Sequence, residues 1–115
     1  MKLYGISNCD TVKKARAWLA KYNIDVEFHD FKKQGLSAEL VQSWLQQTSW
    51  EHLINRKGMT WRGLTEEKKT IVNNQDAQQL MQEKTSVIKR PLLEQNGKIL
   101  HIGFDETAYQ KIFNL

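Results

Sequence analysis

The chain reads as an α/β fold, a mixed four-stranded sheet flanked by helices. Three observations predict it. Between Lys2 and Phe31 the apolar residues run strand, helix, strand. The middle of the chain then carries only helical signals. Near the C-terminus, Asn96-Gly97 sits between two apolar runs, the strongest short hairpin signal a sequence offers. A β-α-β unit takes a right-handed crossover and so pairs its strands in parallel. A hairpin is antiparallel by necessity, so one sheet holding both must be mixed.

Lys2 to Ile6 is apolar enough for a short buried strand, and Ser7-Asn8-Cys9-Asp10 is a polar break. Thr11 to about Tyr22 fits a helix with Val12, Ala15, Leu19 and Tyr22 on one face, capped by Asp10 or Asn8. Val26 to Phe31 alternates as a second strand, and Lys32-Lys33-Gln34-Gly35 turns the chain. Ser37 caps a helix to about Gln47, striped by Leu36, Leu40, Val41, Trp44 and Leu45. Ser49 starts a short helix through Ile54, and Asn55 to Arg62 reads as a loop. Thr65-Glu66-Glu67 opens another helix, with acids placed against the positive end of its dipole. Asp76 caps the next, which carries Leu80 and Met81. Val87-Ile88, Leu92-Leu93 and Ile99 to Ile102 are strand-like, and Asp105 caps a last helix through Phe113. This order of elements is the layout of a thioredoxin-like fold.

At 115 residues, with 40% hydrophobic and 26% charged, the chain is one domain of ordinary soluble composition. No apolar run approaches the ~20 residues of a membrane span. Met1-Lys2-Leu3-Tyr4-Gly5 lacks the apolar core of a signal peptide. The expected location is cytoplasmic, with no membrane partner and a monomeric state. The net charge of +4 suits an anionic small molecule or an acidic protein surface, and is too small and scattered for nucleic acid.

Cys9 is the single cysteine, which excludes an internal disulfide and a multi-cysteine zinc site. It lies where the first strand meets the first helix. Free N–H groups at a helix start favour a thiolate, and Lys13 and Lys14 add positive field one turn on. A thiolate attacks disulfides. Most lone cysteines are instead small buried hydrophobes. Arg56 and Arg90 offer the planar fork that suits a carboxylate or oxyanion, against the plainer role of solvated surface arginines. Pro91, the only proline, interrupts a strand pattern and reads as an edge-strand residue, with a cis bond as the alternative. His29, His52 and His101 lack metal spacing and read as surface or packing residues. Trp18, Trp44, Trp50 and Trp61 read as core.

Four segments together resemble the YffB branch of the ArsC/Spx superfamily of arsenate reductase-like proteins. They are Tyr4-Gly5-Ile6-x-Asn8-Cys9-Asp10-Thr11-Val12-Lys13-Lys14-Ala15, Asp30-Phe31-x-Lys33-x-Gly35-Leu36, Leu53-Ile54-Asn55-Arg56-x-Gly58-x-Thr60-Trp61-Arg62-x-Leu64 and Lys89-Arg90-Pro91-Leu92. The resemblance implies one domain over 1–115 with a thioredoxin-like core and a helical insertion at about 36–84. It implies a nucleophilic Cys9 facing a cis Pro91, with Asn8, Thr11, Lys13, Arg56, Arg90 and Pro91 binding substrate. The implied activity is glutathione-dependent thiol reduction, with glutathione as co-substrate, no bound cofactor or metal, and glutathione or glutaredoxin as partner. The alternative is a non-enzymatic Spx-like module that binds a protein partner, the RNA polymerase alpha subunit. The glutaredoxin-dependent arsenate reductases place three arginines around their cysteine. Arg56 and Arg90 match two, and the third falls near Ile102. They also carry a histidine where this chain has Gly5, so arsenate turnover is expected to be weak or absent. Val12 stands where Spx regulators carry a second cysteine, which excludes an internal disulfide switch.

Overall fold

The computed structural model describes residues 1–115. β1 (Lys2–Gly5) lies inside a four-stranded sheet, parallel to β2 (Glu27–Asp30) and antiparallel to β3 (Leu92–Gln95). β4 (Lys98–Ile102) pairs antiparallel with β3 and forms the far edge, giving the order β2-β1-β3-β4. The two inner strands bury successive residues because both their faces are covered: Leu3, Tyr4, Leu92, Leu93 and even the acidic Glu94 are all buried. The hairpin turns through Asn96 at φ 51° and Gly97 at φ 79°, the paired positive φ values of a type I′ turn. A bulge shifts the β3–β4 register between Leu93 and Glu94.

α1 (Asp10–Lys21) buries Val12, Ala15, Trp18 and Leu19. Trp18 takes the place expected of Tyr22, which is exposed and packs its ring at a tilt against Trp18, centroids 4.6 Å apart. α8 (Glu106–Ile112), capped by Asp105 through the Thr107 N–H, delivers Tyr109 to the same sheet face. Leu3, Ala15, Trp18, Leu19, Leu93 and Tyr109 form one core cluster. Trp18 and Phe104 meet the Tyr109 ring edge-on at 5.5 and 4.9 Å, a favoured aromatic geometry.

Several local readings are corrected. Phe31 begins α2 (Phe31–Gln34) instead of ending the second strand, because the Asp30 carboxylate accepts the Lys32 and Lys33 N–H groups and starts a helical turn. The expected loop from Asn55 to Arg62 ends in a helical turn, with α4 (Trp50–Leu53) before it and α5 (Met59–Arg62) within it. Ser37 caps α3 (Ala38–Gln47), as expected, and Thr65 caps α6 at the expected helix start, though α6 is a single turn (Glu66–Lys69). Asn73, not Asp76, caps α7 (Asn74–Glu83). Asp76 lies inside the first turn, where its N–H reaches Asn73 at 2.9 Å and its carboxylate accepts the Val72 N–H at 3.1 Å. Val87 closes a 3-10 turn (Thr85–Val87), and Ile88 makes one bridge with Ile54 in place of a strand. Pro91 is not an edge residue: it immediately precedes β3, which lies between β1 and β4, and the Arg90–Pro91 peptide is cis.

Residues Met1–Gln34 with Arg90–Leu115 form one compact unit, the sheet with α1, α2 and α8. Gly35–Lys89 forms a second, built from α3 to α7 around buried Val41, Trp44, Leu45, Leu53, Ala77, Leu80 and Met81. No helix is long and apolar enough to cross a membrane.

Candidate active site

The site starts from a close approach. A Cβ on Gly5 would stand 2.8 Å from Cγ2 of Val12, which is fully buried and has nowhere to retreat. Glycine therefore lets the end of β1 lie against the first turn of α1. The chain reverses through Ile6 to Cys9, closed by the Cys9 N–H to the Ile6 carbonyl at 3.1 Å. Cys9 has extended dihedrals (φ −95°, ψ 126°), and its carbonyl accepts the Lys13 N–H at 2.9 Å. Cys9 is thus itself the N-cap residue of α1, where Asp10 or Asn8 was expected. The turn from Ile6 ends one residue too early for Asp10 to cap. Both Asn8 and Asp10 are exposed.

The Cys9 thiol is half-buried. Burial pushes its pKa up. The Val12 N–H, a hydrogen bond from the Arg90 side chain, the Arg90 charge and the Thr11 N–H outweigh that burial and hold the thiol below its ordinary range. The sulfur makes no strict capping hydrogen bond. The two N–H groups face it closely enough to favour its charged form all the same. The fold therefore brings together Cys9, the backbone of Thr11 and Val12, and Arg90, with buried Pro91 next to Arg90. Lys13 lies exposed on α1 and the Thr11 side chain is exposed.

Arg56 lies in the Gly35–Lys89 unit. It donates to Glu51 at 3.4 Å and covers the Trp50 ring at 5.5 Å, with about half its side chain exposed. Trp50 in turn stacks on Trp61 at 6.4 Å, and both are half-buried, whereas Trp18 and Trp44 are core residues. The histidines pack or face solvent. His29 lies against Tyr4 at 5.0 Å, His101 meets Tyr109 edge-on, and exposed His52 hydrogen-bonds Thr48 at 2.8 Å. No cluster of His, Cys, Asp or Glu stands where it could hold a metal ion.

Sequence reasoning gave Asp30 no role beyond its place in a motif. It is 5% exposed, yet its carboxylate accepts the Ser7 N–H at 3.1 Å, the Lys32 N–H at 2.8 Å and the Lys33 N–H at 3.3 Å. Burial alone would raise its pKa. The three N–H groups and the Ser7 hydroxyl outweigh burial and hold the carboxyl below its usual range. The available signal was an acid at a strand end followed by a polar helical turn.

The ArsC family model matches residues 4–112. Among solved structures, the chain is similar to the YFFB (PA3664) protein, with a TM-score of 0.89 and 40% identity over 96% of both chains. It is also similar to an arsenate reductase (ArsC) related protein from Brucella melitensis, with a TM-score of 0.79 and 46% identity over 99% of this chain and 94% of that one. Among curated relatives, the global transcriptional regulator Spx of Lactiplantibacillus plantarum is 26% identical, over 95% of this chain and 83% of its own length.

Proposed function

Because the chain belongs to the ArsC family, we propose that it is a one-cysteine thiol–disulfide oxidoreductase that uses glutathione as co-substrate. The observation that carries this reading is the convergence of the Arg90 side chain and the Thr11 and Val12 N–H groups on the Cys9 sulfur. The thiolate attacks one sulfur of a disulfide. A new S–S bond forms on Cys9, and the other sulfur leaves as a thiolate with the bonding pair. The chain has no second cysteine, so an external thiolate, from glutathione or glutaredoxin, attacks the mixed disulfide. That step returns Cys9 as thiolate and leaves the external pair joined as a disulfide. Arg90 holds a carboxylate of glutathione, and Asn8, Thr11 and Lys13 line the approach. Backbone beside Pro91 pairs with the extended tripeptide.

Alkylation rate against pH tests the thiol. The midpoint should fall below the free-cysteine value of ~8.5, and a midpoint at or above that value overturns the reading. Mass spectrometry of the protein from cells should find glutathione or a protein thiol on Cys9. The Spx relatives favour a second reading, a protein-binding module on the RNA polymerase alpha subunit. Such a module needs no reactive thiol, so an ordinary Cys9 together with capture of that subunit selects it.

A further inference from the structure

We infer that Asp30 is a positioning residue for Cys9: its buried carboxylate clamps the β1–α1 turn so that the sulfur stays against the helix N–H groups and Arg90. The inference rests on the reading of Cys9 as a reactive thiol. Asp30 ends β2, next to β1, and is paired with Gly5 in the parallel register. One oxygen accepts the Ser7 N–H, two residues before Cys9, while the other accepts the Lys32 and Lys33 N–H groups of α2. The Asp30 N–H is itself donated to Gln34 Oε1 at 3.0 Å. The carboxylate thus ties the turn that presents Cys9 to the rigid end of β2. Cys9 continues the tie through its own N–H to Ile6. A carboxylate that accepts three N–H groups suits this task because each of its oxygens carries two acceptor sites and no donor. An amide in its place would point N–H atoms at one of the two segments.

The sign of the change separates positioning from simple charge. Asp30 is an anion near a thiol that becomes an anion. Through space alone, its removal would make the thiolate easier to form. If Asp30 acts by positioning, Asp30→Asn loosens the turn, and the thiolate becomes harder to form despite the lost negative charge. The experiment is the pH profile of iodoacetamide alkylation for wild type, Asp30→Asn and Ser7→Ala, the last removing only the hydroxyl. Asp30→Asn should move the midpoint up and slow alkylation below the midpoint by about threefold, with Ser7→Ala shifted the same way by less. A midpoint that stays put or moves down in Asp30→Asn overturns the inference, while a wild-type midpoint in the free-cysteine range overturns the reactive-thiol reading beneath it. Amide hydrogen exchange on wild type, which needs no variant to fold, gives the second test. The Ser7 N–H should be protected, and exchange at open-loop rates overturns the clamp.

Discussion

The Arg90 guanidinium lies close enough to the Cys9 sulfur that its hydrogen-bonding groups and positive charge both favour the thiolate. The two residues come from distant parts of the sequence and meet in one unit. The contact pairs a fixed cation with a group that reacts only as an anion. Replacing Arg90 with Gln should therefore raise the thiol pKa and slow alkylation near neutral pH by about three- to tenfold. Arg90→Lys keeps the charge and loses the fork, so it should alkylate nearly as wild type yet bind glutathione more weakly in an NMR titration. Arg56→Lys should change affinity less, since Glu51 and Trp50 already engage that side chain. Identical pH profiles for wild type and Arg90→Gln would remove Arg90 from the site.

Gly5 against Val12 predicts a size-dependent clash. With 2.8 Å between the new Cβ and Val12 Cγ2, Gly5→Ala should cost about 1–3 kcal/mol in urea unfolding, the range for overpacking. Combining it with Val12→Ala should recover part of the loss. Strict additivity of the two changes would mean that the residues do not share this space.

Asp30 predicts the acid limb of stability. Its pKa is lowered in the folded state, so below the ordinary ~3.9 of an unfolded Asp the unfolded chain binds more protons than the native one. The contribution is complete above that value and is lost as pH falls through the lower folded one. Urea midpoints of wild type should drop more steeply with acid than those of Asp30→Asn, which should already be less stable at neutral pH. Parallel curves would count against it.

Tyr109 predicts a gain. It is fully buried, its hydroxyl has no hydrogen-bond partner, and burial pushes its pKa well above the ordinary phenol range. An unsatisfied buried hydroxyl costs roughly 1–3 kcal/mol. Tyr109→Phe keeps the ring contacts with Trp18 and Phe104 and removes that atom, so its thermal midpoint should rise by a few degrees. A fall would show that the hydroxyl has a use.

Arsenate should be a poor substrate. Ile102, half-buried on β4, offers no charge, and by the sequence resemblance it lies near the position of the third arginine of the glutaredoxin-dependent arsenate reductases. Each missing charge-assisted bond forfeits ~1.5–3 kcal/mol, roughly ten- to a hundredfold in rate. A coupled assay with glutathione and glutaredoxin should register little turnover, and rates like those of an arsenate reductase would refute the argument.

Much of the fold was legible because it is written in local pattern. The steps from Val12 to Leu19 mark a helix face, Asn96-Gly97 marks the hairpin, Ser37 and Asp105 cap the helices they were expected to cap, and Ser49 and Thr65 stand at the helix starts expected of them. Errors gathered where two local signals competed. Asn73 and Asp76 are both good caps, and the one that let the helix start earlier prevailed. Phe31 fits a strand by alternation, but the Asp30 carboxylate had already begun a helical turn.

By itself, the sequence determined the mixed α/β architecture and singled out Cys9 as the one thiol at a strand-to-helix junction, because periodicity and residue counts need no partner to be read. Only the tertiary structure decided which residue caps α1, that Pro91 precedes an inner strand, that Arg90 reaches the Cys9 sulfur, and that Asp30 binds the turn before it. Those facts depend on contacts between residues far apart along the chain. Coulomb and hydrogen-bond energies depend on distance in space, and a sequence records only distance along the backbone.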